Sequence, residues 1–191
     1  VNTCGVKAPT ENRVLTRLRK LNDSKYKVIV SGCLPLMCPK KIIKAIPNYA
    51  AILGTNGPLI IDEVVEKVLR GDRIIKIEQG SIEKLYIDQD PSNPTIGILP
   101  IAEGCLGECA YCSVRLARGR IRSVPIDILL RKIERLVEKQ VKEIYITAQD
   151  CAVYGKDIGT NLAELLRRIE NKYSSSEIMF RVGMMNPGHI K

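Results

Sequence analysis

Short β-branched runs alternate with amphipathic stretches along almost the whole chain. That alternation restricts the fold more than any other feature. Val14, Leu15, Leu18 and Leu21 share one face of a helix over residues 11–21. Lys27 to Gly32 reads as a buried strand, Pro39 to Ile46 as a short helix with proline at its start, and Ala50 to Leu53 as a second strand. Pro58 to Arg70 carries Ile60, Ile61, Val64, Val65, Val68 and Leu69 in helical register and is closed by Gly71. Arg73 to Glu78 and Leu85 to Ile87 read as edge strands. A second series follows: a strand from Thr95 to Ala102, a Gly/Cys loop, a helix from Ile126 to Gln140, a strand from Glu143 to Ala148, a helix capped by Thr160 and running through Tyr173, and a strand from Glu177 to Gly183. This strand–helix alternation predicts an α/β fold with parallel sheets.

Asp88 to Pro94 concentrates Asp, Asn, Ser and Pro and is the best linker in the chain. It divides the protein into an α/β domain over 1–87, a linker at 88–94 and a second domain over 95–191. Aromatic residues are only 4% of the chain, with one Phe and no Trp, so the core is built from Ile, Leu and Val. No apolar run approaches the roughly 18 residues of a membrane span. Charge is uneven. Residues 1–48 hold ten Lys/Arg against Glu11 and Asp23, and Arg115, Arg118, Arg120 and Arg122 fall within eight residues. Basic zones of this kind suit a polyanion such as RNA, although most basic faces are only solvated. The chain opens on Val1 and stops just after a strand, as a piece of a longer protein would.

Seven cysteines cannot all pair, and one His leaves little room for His-based zinc or triad chemistry. The strongest chemical signal is Gly104-Cys105-Leu106-Gly107-Glu108-Cys109-Ala110-Tyr111-Cys112, a Cys-x3-Cys-x2-Cys loop between a strand and a helix. Three thiolates within eight residues converge only if the loop wraps around a common centre, and Gly104 and Gly107 supply turning freedom. Three ligands on a four-iron cubane leave one iron open. The alternatives are a zinc knuckle completed by His189 or Cys151, or plain buried thiols.

Cys105, Cys109 and Cys112 resemble the signature of the radical S-adenosylmethionine (SAM) enzymes. The run from Tyr111 to Pro125, with Arg118-Gly119 and Ser123-Val124-Pro125, is similar to the methylthiotransferase family within them. So are the Val-Asn-Thr-Cys-Gly-Val opening and Ser31-Gly32-Cys33. Thr147-Ala148-Gln149-Asp150, Tyr154-Gly155-x-Asp157-Ile158-Gly159 and Arg181-Val182-Gly183-Met184-Met185-Asn186-Pro187 resemble the archaeal and eukaryotic branch, which acts on N6-threonylcarbamoyladenosine in tRNA.

The resemblance implies a truncated flavodoxin-like parallel α/β N-terminal domain followed by the first half of a radical-SAM (β/α) partial TIM barrel. It implies a cytoplasmic transferase that inserts a methylthio group at C2 of the modified adenosine beside the anticodon. The cofactors it implies are SAM and two 4Fe–4S clusters. The radical-SAM cluster sits on Cys105, Cys109 and Cys112. The auxiliary one sits on Cys4, Cys33 and a third cysteine upstream of this sequence. Tyr111, Gln149 and Asp150 are then candidates for SAM binding, and Arg115, Arg120 and Arg122 for the tRNA anticodon loop, with Arg118 bracing the cluster loop. An electron donor is a further implied partner, and no membrane is. Isopentenyl-adenosine tRNA and a ribosomal-protein aspartate are the rival substrates, and a non-catalytic zinc or cluster-containing tRNA-binding module is the rival class. Cys38 and Cys151 match no motif, and His189 reads as a surface or turn residue.

Overall fold

The computed structural model describes residues 1–5, 7–88 and 93–190. The chain divides into two compact units, Val1–Lys84 with Glu108–Gly119 and Leu85–Gly107 with Arg120–Lys191. Residues 89–92 of the expected linker lie outside the described residues. The sequence division at 88–94 assigns the whole cysteine loop to the second domain. In the structure Glu108–Gly119 groups with the first unit, where Ala117 is buried and Gln79 Nε2 donates to the Leu116 carbonyl at 3.3 Å.

The first unit is a four-stranded parallel sheet in sequential order. Its elements are β1 (Asn2–Thr3), α1 (Ala8–Asn22), β2 (Ile29–Gly32), α2 (Leu34–Met37), α3 (Pro39–Ala45), β3 (Ala51–Leu53), α4 (Gly57–Arg70), β4 (Ile74–Lys76) and α5 (Val114–Arg118). Successive strand side chains point to opposite faces, and the core divides accordingly. Val28, Val30 and Ile52 join Leu15 and Leu18 of α1 and Ile42 of α3. Ala51 and Leu53 join Val64 and Val68 of α4, with Ile29 packed beside them. Each fully buried Leu or Ile contributes about 1.5–3 kcal/mol through its transfer from water. The predicted α1 stripe is recovered, with Leu15 and Leu18 buried and Val14 and Leu21 packed against them. Gly71 ends α4 in the left-handed conformation.

The second unit holds β5 (Ile96–Pro100), β6 (Ala102–Glu103), β7 (Arg122–Ser123), α6 (Ile126–Glu138), β8 (Glu143–Thr147), α7 (Leu162–Tyr173) and β9 (Met179–Val182). β5, β8 and β9 form a parallel sheet with β8 in the centre. Leu99, Ile144 and Ile146 of the sheet are buried, as are Leu129, Ile133 and Leu136 of α6 and Leu165 and Ile169 of α7. Among the described residues no helix is long and apolar enough to cross a membrane.

Three local expectations are corrected. Leu85 to Ile87 is not a strand: a 3-10 turn covers Ile82–Leu85, and Lys132 Nζ takes the Ile87 carbonyl at 2.8 Å, where a ladder partner would otherwise be needed. The strand from Thr95 to Ala102 breaks after Pro100. Ile101 makes the last bond to β8, donating to Thr147, and the chain then pairs antiparallel with β7 through Ala102↔Ser123 and Glu103↔Arg122. The cap of α7 is Asn161, the extended residue directly before Leu162, whose side chain accepts from the Glu164 N–H at 2.9 Å.

Candidate functional site

The β1–β2 register pairs Thr3 with Gly32, so Cys4 and Cys33 are the next residues at the C-terminal ends of adjacent parallel strands. The Cys33 N–H donates to the Thr3 carbonyl at 3.1 Å, and Thr3 Oγ1 donates to the Ser31 carbonyl at 2.8 Å, locking the two strand ends together. Gly32 makes this possible. Its φ is +115°, and a Cβ there would stand 2.3 Å from the Thr3 carbonyl oxygen. Cys4 is exposed and Cys33 buried. Carboxyl ends of parallel strands are where open α/β sheets gather ligands. Cys38 packs half-buried against the α1/α3 core.

The cysteine loop begins where β6 ends. Gly104 is buried at φ +85°, and its N–H donates to Gln149 Oε1 at 2.6 Å. The Gly107 N–H lies 3.2 Å from Cys105 Sγ. Cys109 and Cys112 lie in the first unit, both exposed, with the Cys112 N–H bonded to the Cys109 carbonyl at 2.9 Å. Tyr111 is 91% exposed. Its hydroxyl bonds to Cys109, which holds the phenol above its usual pKa. All seven cysteines are free, and among the described residues no three His, Cys, Asp or Glu side chains surround a single metal-ion position. A loop of three accessible thiols, one already receiving an N–H bond, has the donor chemistry of an iron–sulfur cluster site.

Gln149 and Asp150 follow β8 at its C-terminal end, beside the cysteine loop's entrance. Asp150 is 3% exposed. Its Oδ1 accepts from the Ala152 and Asn186 N–H groups at 3.1 Å each, and its Oδ2 lies 2.6 Å from His189 Nδ1. It therefore joins the loop after β8 to the Pro187–His189 turn after β9. The sequence offered no local signal for this pair, 39 residues apart; only the Asn-Pro-Gly turn beside His189 was legible. Met184, in the same region, holds φ +60°, and its carbonyl accepts from the Cys151 N–H at 2.8 Å.

The four arginines do not share one unit. Arg115 and Arg118 lie in α5, with Arg115 paired to Glu108 at 3.0 Å; Arg120 is exposed in the second unit and Arg122 sits in β7. A cavity of about 400 Å³ lies along the edge of β5, lined by Leu85, Ile98, Lys132 and Leu136 among others; no described cysteine borders it.

Cys151 is fully buried, and burial pushes its thiol up to about 11. Two units above an ordinary thiol leave about 100-fold less thiolate at neutral pH. Alkylation of the metal-free protein at pH 8, followed by peptide mass spectrometry, is expected to label Cys4, Cys109 and Cys112 first and Cys151 last. Raising the pH towards 11 should accelerate Cys151 selectively. Early labelling of Cys151 would contradict its assignment as inert packing.

Residues 1–54 match the model described as "Uncharacterized protein family UPF0004", and residues 99–189 match that of the Radical SAM superfamily. The chain is 40% identical, over its whole length and 44% of the relative's, to a protein of Pyrococcus horikoshii named probable threonylcarbamoyladenosine tRNA methylthiotransferase. It is 32% identical to the human threonylcarbamoyladenosine tRNA methylthiotransferase, covering all of this chain and 33% of that one. The chain thus spans less than half the length of these relatives. Among solved structures, the radical S-adenosylmethionine methyltransferase TsrM from Kitasatospora setae, with cobalamin and a 4Fe–4S cluster bound, superposes with a TM-score of 0.55 at 14% identity. That likeness covers 92% of this chain and 40% of TsrM, and it is one of fold. With one family model on each half and whole-chain relatives in both archaea and animals, the chain belongs to the radical SAM methylthiotransferase family.

Proposed function

We propose that this chain is part of a cytoplasmic transferase that attaches a methylthio group to C2 of N6-threonylcarbamoyladenosine beside the anticodon of tRNA. The observation that carries the reading is the Cys-x3-Cys-x2-Cys loop that begins where β6 ends, inside the segment that matches the Radical SAM model. The names of the archaeal and animal relatives support the substrate. In this reading Cys105, Cys109 and Cys112 hold a 4Fe–4S cluster, and Cys4 and Cys33 supply two ligands of a second. When bound, the first cluster supplies one-electron cleavage of SAM, the chemistry an unactivated aromatic C–H requires. The protein's own part is placement. Gln149 fixes the Gly104 amide where the loop begins, and the Gly107 N–H donates to Cys105 Sγ and orients it. Asp150 acts by bracing the loops after β8 and β9, while Tyr111 and Gln149 are the residues that would hold SAM. Electrons come from a separate donor protein.

Arg115, Arg120 and Arg122 contact phosphates of the anticodon loop, and Arg118 braces the cysteine loop. Each lost phosphate contact should weaken tRNA binding and lower the salt slope by about one unit.

The deciding experiment is anaerobic reconstitution of the complete protein. Iron, sulfide and SAM-derived deoxyadenosine are measured, together with methylthio-nucleosides in tRNA carrying threonylcarbamoyl- or isopentenyl-adenosine. The reading expects eight irons, deoxyadenosine, and methylthiolation of the first tRNA only. Zinc without visible absorption, or iron without deoxyadenosine, would instead make this a binding module. A product on isopentenyl-adenosine or on a ribosomal-protein aspartate would move the substrate.

A further inference from the structure

Among the described residues Tyr154 is the largest fully buried side chain, and its hydroxyl donates to the Val124 carbonyl at 2.7 Å. A phenylalanine would fill the same space, and burying a hydroxyl is unfavourable unless it finds a partner. Here the partner is the backbone just after β7. Two more bonds join the same segments. The Gly155 N–H donates to Ser123 Oγ at 2.9 Å, and the Ser123 N–H donates to Asp157 Oδ2 at 2.8 Å. The loop that makes them is pre-shaped. Gly155 has φ +81°, a Cβ there would stand 2.5 Å from the Thr160 carbonyl carbon, and the Gly155 carbonyl accepts from the Ile158 and Thr160 N–H groups.

The segment being held is otherwise weak. β6 and β7 share only two residue pairs, extended by the Val124 N–H to the Ile101 carbonyl at 2.9 Å, and a ladder so short is not stable alone. Yet the cysteine loop leaves this ladder at Gly104 and returns to it at Arg122. Gln149, at the start of the same loop after β8, holds the departing end through the Gly104 amide.

We propose that residues 149–157 form a clamp that fixes both ends of the cysteine loop. Tyr154 and Asp157 are positioning residues at the returning end, and Gln149 serves at the departing end. The consequence for cluster retention rests on the function proposed above; the clamp itself does not.

The test uses the complete protein in two states. In the metal-free protein, Tyr154→Phe and Asp157→Ala are each expected to raise amide exchange over residues 101–104 and 122–124 about tenfold, as loss of one buried hydrogen bond predicts, with β8 and α7 unchanged. Asp157→Asn keeps an acceptor oxygen and should restore protection. In the reconstituted protein, the same two variants should lose iron to a chelator about tenfold faster and shift the electron paramagnetic resonance signal of the reduced cluster. Unchanged exchange over 101–104 overturns the clamp. Faster exchange with wild-type iron loss and an unaltered signal overturns its effect on the cysteine loop. If the wild type binds no iron at these cysteines, the proposed function fails and the exchange arm still decides the clamp.

Discussion

Changing any one of Cys105, Cys109 or Cys112 to serine in the complete protein is expected to abolish SAM-derived deoxyadenosine. The loss should be roughly 10³-fold or more, about 4 kcal/mol in activation free energy. A serine hydroxyl does not ionise near neutrality and is a poor ligand for iron, and no other described side chain of this loop is a thiol. Cys4→Ser and Cys33→Ser should differ in kind. They are expected to leave deoxyadenosine formation largely intact while removing the methylthiolated nucleoside, because those two residues lie at the ends of β1 and β2, outside the Cys-x3-Cys-x2-Cys loop, and belong in the proposed reading to the second cluster. Cys38→Ser and Cys151→Ser serve as controls and should retain both products. Measuring deoxyadenosine and modified nucleoside in the same reaction separates the groups. Normal deoxyadenosine from Cys105→Ser would remove the central assignment.

The second large effect is expected at Gly32. Gly32→Ala places a methyl group 2.3 Å from the Thr3 carbonyl oxygen and 2.8 Å from the Thr3 nitrogen at φ +115°. The left-handed backbone costs about 1–2 kcal/mol for a residue with a side chain. Overpacking against backbone that cannot step aside adds about 1–3 kcal/mol. A total of about 2–5 kcal/mol is a large part of the roughly 5–15 kcal/mol that stabilises a domain. Gly183→Ala is the matched control: it has no positive φ, nothing lies within 4 Å of its added Cβ, and it should change stability by no more than about 0.5 kcal/mol. Urea unfolding followed by amide exchange in α1 and β2 isolates the first unit. Separation of β1 from β2 should also part Cys4 from Cys33, so iron bound there should fall with stability. A stable Gly32→Ala protein with both strands protected would show that the close approach at Thr3 is not required.

Much of the fold was legible because it is written in local periodicity. Val28 to Val30 and Ala50 to Leu53 are unbroken apolar runs, the pattern of short strands buried on both faces. Leu15 and Leu18 repeat at helical spacing, and α1 forms where they do. The cysteine loop was legible for a similar reason, since its three thiols stand within eight residues.

What escaped the sequence has no local period. The β6–β7 pair contains two residues per strand, too few to show alternation. Asn161 rather than Thr160 caps α7 because it is the extended residue directly before Leu162, the position from which a side-chain oxygen reaches the Glu164 N–H. Asp150 meets His189, and Tyr154 meets Val124, across 39 and 30 residues of chain. The sequence by itself determined which segments become strands and helices and where the thiols lie along the chain, because burial pattern and spacing act over a few residues. The resemblance already paired Cys4 with Cys33; only the tertiary structure decided that one loop holds both ends of another. Strand register and buried polar pairing are settled by which distant groups can satisfy each other's hydrogen bonds once water is excluded.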